Sequence, residues 1–462
     1  MKRTFDAIIV GAGQAGPPLA GRLTAAGMQV ALVERKLVGG TCVNTGCMPT
    51  KTLVASAYAA HLARRGAEFG VTTGEIGIDM KAVAARAQKV VTDARTSNER
   101  WLEGMHGLTL LRGHACFTAP DVLAVDGQEL TAPRIFLNVG GRALVPDMPG
   151  VGDVPHLDNT EMVALDTVPE HLVVVGGSYV GLEFAQMYRR FGAAVTVVER
   201  GERLIAHEDA DVSDAVRAIL EEEGIVVRTG ANCIGFSPDP QGVKVSVDCS
   251  SGEPTVTGSH VLLAVGRRPN TDDLGLEVAA IATDARGYIK VDDKLQTNVP
   301  GIWALGDCNG HGAFTHTAYN DFEIVAANLL DGDDRKVSQR LVGYALYTDP
   351  PLGRVGLSES EARKSGRSLL VSKRPMTRVG RAVEKGETKG FMKIVADAET
   401  QRILGAAILG TSGDEAIHGI LDMMNADQPI ETLRWAVPIH PTVSELIPTV
   451  LLGLRPLPEV QA

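Results

Sequence analysis

The chain is predicted to be α/β, with one strand–glycine turn–helix–strand unit used twice and a smaller α+β unit after it. The first copy is the apolar strand Ala7-Ile8-Ile9-Val10, the turn Gly11-Ala12-Gly13-Gln14-Ala15-Gly16, a helix over Leu19 to Ala26, and the strand Val30-Ala31-Leu32-Val33 ending at Glu34. The second is Leu172-Val173-Val174-Val175, the turn Gly176-Gly177-Ser178-Tyr179-Val180-Gly181, and Val195-Thr196-Val197-Val198 ending at Glu199. Gly11 to Glu34 and Gly176 to Glu199 each span 23 positions. Beyond a polar stretch at 331–340, strands such as 391–395 and 403–409 alternate with helices, which is the pattern of the α+β unit.

Each copy is a dinucleotide fingerprint in its full setting. The glycines allow a tight turn and close phosphate approach, the helix N-terminus faces the pyrophosphate, and the acid meets the ribose. Ser178 stands where the middle glycine is usual, and its small side chain keeps the turn feasible. Two Rossmann-like domains for two dinucleotides follow. Residues 52–105 are Ala-rich and read as helices; Leu108–Leu111, Val122–Val125 and Arg134–Gly140 read as strands. Val243–Val247 and His260–Val265 read as further strands, the last closing on Gly266-Arg267-Arg268-Pro269-Asn270. Val299 to Asp307 is a strand that delivers an aspartate to a glycine turn. The expected division is 1–150 and 271–340 for the first dinucleotide domain, 151–270 for the second, and 341–462 for the last unit.

Composition narrows the function. A net charge of −11 and 4% aromatic residues argue against nucleic acid or an anionic membrane as the main partner. No apolar run approaches the ~20 residues that span a bilayer, and the short apolar start, interrupted by Asp6, suits a first strand better than a signal peptide. The cysteines are Cys42, Cys47, Cys116, Cys233, Cys249 and Cys308. Only the first two are close in sequence, so neither a disulfide framework nor a zinc site is expected, no resident metal is expected, and a cytoplasmic location is the default.

Cys42 and Cys47 lie in Gly39-Gly40-Thr41-Cys42-Val43-Asn44-Thr45-Gly46-Cys47-Met48-Pro49-Thr50-Lys51. Two sulfurs five positions apart reach disulfide geometry on a distorted helical turn but not on an extended strand. Pro49 favours a helix start, so Cys47 would sit at a helix N-terminus, where unpaired N–H groups favour a thiolate. This run resembles the redox-active segment of the flavoprotein disulfide reductases, the family of dihydrolipoamide dehydrogenase, glutathione reductase and mercuric reductase.

The resemblance implies specific roles. Cys42 and Cys47 would form a redox disulfide, with Cys47 as the flavin-proximal sulfur and Cys42 as the interchange sulfur that attacks substrate. Lys51 would lie beside the flavin, paired with Glu183. The first fingerprint (Gly11, Gly13, Gly16, Glu34) would hold FAD, with Thr41, Ala115, Asp307 and Thr315 also at that cofactor. The second (Gly176, Gly181, Glu199), with Gly266, would hold NADH or NADPH. Glu199 favours NADH by accepting from ribose hydroxyls, whereas Arg200 could instead meet a 2′-phosphate. Tyr179 would cover the nicotinamide pocket, or serve only as a core aromatic. His440-Pro441-Thr442-Val443-Ser444-Glu445 matches the family's acid–base motif, in which His440 protonates the leaving thiolate and Glu445 orients it. In relatives this motif comes from the other subunit, so a homodimer with a shared site is implied.

The substrate is expected to be a disulfide or oxidised thiol, with lipoamide oxidation or metal-ion reduction as alternatives. The final stretch Leu452–Ala462 has no cysteine, unlike mercuric reductases, whereas 349–357 and 387–391 resemble that branch.

Overall fold

The protein is described here by a computed structural model, which covers residues 2–247 and 254–457; Cys249 lies outside them. The first copy builds a parallel five-stranded sheet in the order Ile302–Ala304, Ile135–Leu137, Ala7–Val10, Val30–Glu34, Leu108–Arg112. Its central strands are buried along their whole length, as a sheet covered on both faces requires. The helix after the first turn runs Gly16–Ala25, three residues earlier than the pattern suggests, with prolines in its first turn where a missing N–H costs nothing.

The second copy gives a parallel four-stranded sheet: Val226–Arg228, Ala194–Val198, His171–Val175, His260–Leu263. The chain leaves the first domain along Gly141–Ala143 and returns along Arg267–Pro269. These two short strands pair antiparallel, Arg267 opposite Ala143. The strand expected over 299–307 is confined to Ile302–Ala304, and Asp307 rides a 3₁₀ turn, Gly306–Asn309.

The carboxy-terminal unit is a six-stranded antiparallel sheet, ordered Gly343–Leu346, Leu352–Gly356, Ile403–Leu409, Phe391–Asp397, Leu369–Pro375, Arg455–Pro456. It packs on the second unit partly through charge. Glu208 and Arg354 form an ion pair with side chains 0% and 2% exposed, and Lys393 meets Asp209 at 2.9 Å. Among the described residues no helix is long and apolar enough to cross a membrane.

Candidate active site

The two glycine turns are shaped for close approach. Gly11 sits at φ +107°, and a Cβ there would lie 2.2 Å from the Asn138 carbonyl oxygen. A Cβ on Gly181 would lie 2.1 Å from the Gly176 carbonyl oxygen, so helix and turn meet only because that side chain is hydrogen. Gly13 and Gly16 complete the first turn and Gly176 opens the second, while Gly266, at φ +126°, follows the strand His260–Leu263.

Both acids serve the turns directly. Glu34 accepts from the backbone N–H of Ala12 at 2.9 Å and of Lys36 at 2.7 Å. Glu199 accepts from Gly177 and Gly201, each at 2.6 Å. Each carboxylate therefore fixes its loop at the end of its strand, the edge where a ribose would arrive. The cradles and placed carboxylates fit two dinucleotides. Ala115 is buried at the start of strand Ala115–Ala119.

Cys47 is the first residue of helix Cys47–Arg64, two residues earlier than expected, and Cys42 lies in the short helix Gly40–Asn44 that begins beside Thr41. Both cysteines carry free thiols. The Cys47 thiol is lowered to about 6, chiefly by a hydrogen bond from Cys42 and then by the Thr315 hydroxyl and Lys51, against opposition from burial and Glu183. Cys42, the donor in that bond and partly buried, is pushed up strongly. The hydrogen bond thus favours the thiolate on Cys47 and the proton on Cys42.

Thr315 begins helix Thr315–Ala326, and its hydroxyl lies 3.4 Å from the Cys47 sulfur. Lys51 Nζ meets Glu183 Oε2 at 2.8 Å, and Glu183 Oε1 accepts from the Tyr347 N–H at 3.0 Å. Lys51 also lies over the Tyr347 ring, 4.5 Å from its centre. Asp307 borders an open cleft of about 350 Å³ with Gly141, Arg267, Tyr288 and Gly310. Burial raises its pKa, and Arg267, 3.6 Å away, opposes that.

His440 Nδ1 donates to Glu445 Oε2 at 2.9 Å, which leaves Nε2 for another partner. The His440 side chain is 80% exposed, and no hydrogen bond or ion pair among the described residues joins it to the cysteines. Around it Trp435, Val437 and Ile439 are 75%, 97% and 80% exposed, an apolar rim suited to cover by another chain.

Sequence reasoning missed several supports. Asp321, 1% exposed, accepts from the Gly306 N–H and from Asn309, both at 2.8 Å, and pairs with Arg340. It thereby fixes the turn that carries Asp307. Asn138 donates to the Gly11 carbonyl at 3.1 Å. Tyr347 anchors Glu183 from a different domain. The only local signal is the strand end before Asn138; the others are long-range contacts.

The model of the pyridine nucleotide-disulphide oxidoreductases matches residues 5–321, and that of their dimerisation domain matches 342–451. The chain is 35% identical to the Escherichia coli probable pyridine nucleotide-disulfide oxidoreductase RclA, over 96% of this chain and 97% of that one. It is 31% identical to a Bacillus cereus mercuric reductase, over 96% of this chain and 70% of that protein. A solved Cu(II) complex of the HOCl-induced flavoprotein disulfide reductase RclA superposes with a TM-score of 0.89 at 34% identity, covering 97% and 99% of the two chains. The last domain is the one through which the chain pairs as a homodimer. With its paired cysteines, two nucleotide cradles and carboxy-terminal sheet, the chain belongs to the FAD- and NAD(P)H-dependent pyridine nucleotide-disulphide oxidoreductases.

Proposed function

We propose that the enzyme draws electrons from NADH and reduces a small disulfide or oxidised thiol at Cys42, in a cytoplasmic homodimer whose active site is shared between subunits. The single observation that carries this reading is the pair of free thiols in adjoining helices, with the Thr315 hydroxyl 3.4 Å from the Cys47 sulfur. Gly11, Gly13, Gly16, Glu34, Thr41, Ala115, Asp307 and Thr315 would hold FAD; Gly176, Gly181, Glu199 and Gly266 would hold the nicotinamide nucleotide. Bound FAD supplies a two-electron carrier between the nicotinamide and the thiol pair. The Glu199 carboxylate supports NADH over a 2′-phosphorylated donor.

Lys51, pinned by Glu183, keeps a positive charge beside the Cys47 thiolate. Cys42 must lose its proton to attack, and His440, entering from the second copy, is the group to take it. The Cys42 sulfur attacks one sulfur of the substrate disulfide, forming a mixed disulfide and releasing a thiolate that His440 reprotonates. Cys47 then attacks Cys42, expels the second thiolate and closes the Cys42–Cys47 disulfide. Glu445, 2.9 Å from Nδ1, would orient the imidazole and leave Nε2 to carry the proton. The cytoplasm suits a chain whose described cysteines beyond the pair are single thiols.

A second reading, reduction of a soft metal ion by the same thiols, is favoured by the Cu(II) complex of RclA. One experiment separates them: turnover with NADH and NADPH against small disulfides, lipoamide, Cu(II) and Hg(II), on wild type and Cys42→Ser. NADH-driven disulfide reduction lost in Cys42→Ser is the expected result. Turnover that survives the substitution would overturn the proposal.

A further inference from the structure

Helix Tyr179–Phe191 of the second nucleotide unit meets the strand Gly343–Leu346 of the carboxy-terminal sheet and the residues that follow it. At the start of the contact the Tyr179 ring packs edge-on against Tyr344, with centroids 5.4 Å apart. Further along, Glu183, Gln186 and Arg190 recur at steps of three and four residues, so they share one face of the helix. Residues 347–349 are seated on that face by hydrogen bonds along their length. The Tyr347 N–H donates to Glu183 Oε1 at 3.0 Å, and the Asp349 N–H donates to Gln186 Oε1 at 2.7 Å. Gln186 Nε2 donates to the Asp349 carbonyl at 2.9 Å, and Arg190 donates to the Asp349 carboxylate at 2.7 Å. The side chains of Glu183 and Arg190 are each 5% exposed, so these bonds are sheltered from water.

Tyr347 is thereby fixed through its backbone, and its ring faces Lys51, with Nζ 4.5 Å from the ring centre. Lys51 stands one helical turn after Cys47 on the helix Cys47–Arg64, which puts the two side chains on the same face. Its only ion pair among the described residues is with one oxygen of Glu183, at 2.8 Å. A single contact at the end of a flexible four-carbon stem leaves the ammonium an arc of positions. The Tyr347 ring supplies a second contact, because the negative face of an aromatic ring attracts a cation. One residue therefore steadies both halves of the pair, the carboxylate through its N–H and the ammonium through its ring.

We propose that Tyr347 is a positioning residue for the thiol chemistry: its ring holds the Lys51 ammonium one turn from Cys47, where the positive charge favours the thiolate. This rests on the reading of Cys47 as the working thiolate. The other groups that act on Cys47 are Cys42, Thr315 and Glu183, and Asp414 and Glu415 act on Tyr347 from the far side of the contact. Burial raises the Tyr347 pKa, so its hydroxyl stays neutral at neutral pH and phenylalanine reproduces the ring. A cation–π contact at a partly exposed site changes occupancy by about two- to fivefold. Losing it should raise the Cys47 midpoint by roughly 0.3 of a pH unit, since less positive charge near the sulfur disfavours the anion.

The test is the pH dependence of the initial rate at which iodoacetamide alkylates Cys47 in the reduced, FAD-loaded dimer, read by peptide fragmentation in a mass spectrometer. It is run on wild type, Tyr347→Leu, Tyr347→Phe, Lys51→Met and the double variant of Tyr347→Leu with Lys51→Met. Tyr347→Leu is expected to raise the midpoint by part of the rise that Lys51→Met gives, and Tyr347→Phe to leave it at wild type. With Lys51 already replaced, Tyr347→Leu should change nothing further, which separates loss of the held charge from a general change in packing. Tyr347→Met keeps an apolar side chain of similar length without a ring, and it carries the test if the leucine variant does not fold. An unmoved or lowered midpoint in Tyr347→Leu, an equal rise in Tyr347→Phe, or the same rise with and without Lys51 would overturn the proposal. Wild-type Cys47 that alkylates with the pH profile of an ordinary thiol would instead sink the reading beneath it, and the proposal with it.

Discussion

Removing the Cys42 thiol should raise the pKa of Cys47, because the hydrogen bond from Cys42 is the largest influence holding it at about 6. A hydrogen bond to a charged acceptor contributes about 1.5–3 kcal/mol, and Cys47 faces open solvent in the single chain, so the lower value applies after screening. At 1.36 kcal/mol per pH unit, Cys42→Ala should move the Cys47 midpoint from about 6 to about 7. At pH 7 the thiolate fraction then falls from about nine-tenths to about a half. The sign is fixed: a weaker stabilisation of the anion means that a higher pH is needed to form it. The assay is the rate of iodoacetamide alkylation of Cys47 across pH in reduced enzyme, followed by peptide mass spectrometry to separate it from the other cysteines. Thr315→Val, which removes the lesser hydrogen bond, should give a midpoint between those two values. A midpoint that stays near 6 in Cys42→Ala, or a larger movement in Thr315→Val, would refute the account of how the thiolate is held.

Gly11→Ala should strip the enzyme of flavin, since its Cβ would lie 2.2 Å from the Asn138 carbonyl oxygen; absorbance of the purified protein measures the bound cofactor, and full occupancy would contradict the cradle. Mixing Cys42→Ser with His440→Gln subunits tests the shared site. Random reassortment gives one intact site in each heterodimer, so disulfide turnover should recover to roughly a quarter of wild type, whereas a site built within one chain would show no recovery.

What was legible in the sequence is what local physics writes locally. The two fingerprints could be found because close backbone packing demands hydrogen at Gly11 and Gly181, and strand, turn and acid follow at fixed distances. Cys42 and Cys47 were readable for the same reason, one short segment carrying both sulfurs. Helix starts at Gly16 and Cys47 fell earlier than the apolar pattern indicated, because the first turn of a helix satisfies few of its own N–H groups and leaves little trace in hydrophobic spacing. Asp321, Tyr347 and the Glu208–Arg354 pair were not legible. Each acts on a residue from another element, and an isolated aspartate, tyrosine or arginine carries no mark of the partner the fold will bring. His440 and Glu445 could be paired from their motif, but no hydrogen bond or ion pair among the described residues of one chain joins them to the cysteines.

The two-stranded ribbon of Gly141–Ala143 and Arg267–Pro269 gives the architecture a modular quality. Because departure and re-entry are neighbours held by their own ladder, everything between them can be exchanged for a different nucleotide module without rerouting the host. A graft cut at those two strands could retune which reductant feeds the enzyme while the sulfur chemistry stays where it is, provided that the incoming module supplies counterparts to Glu183 and Glu208 for the foreign surface it must meet.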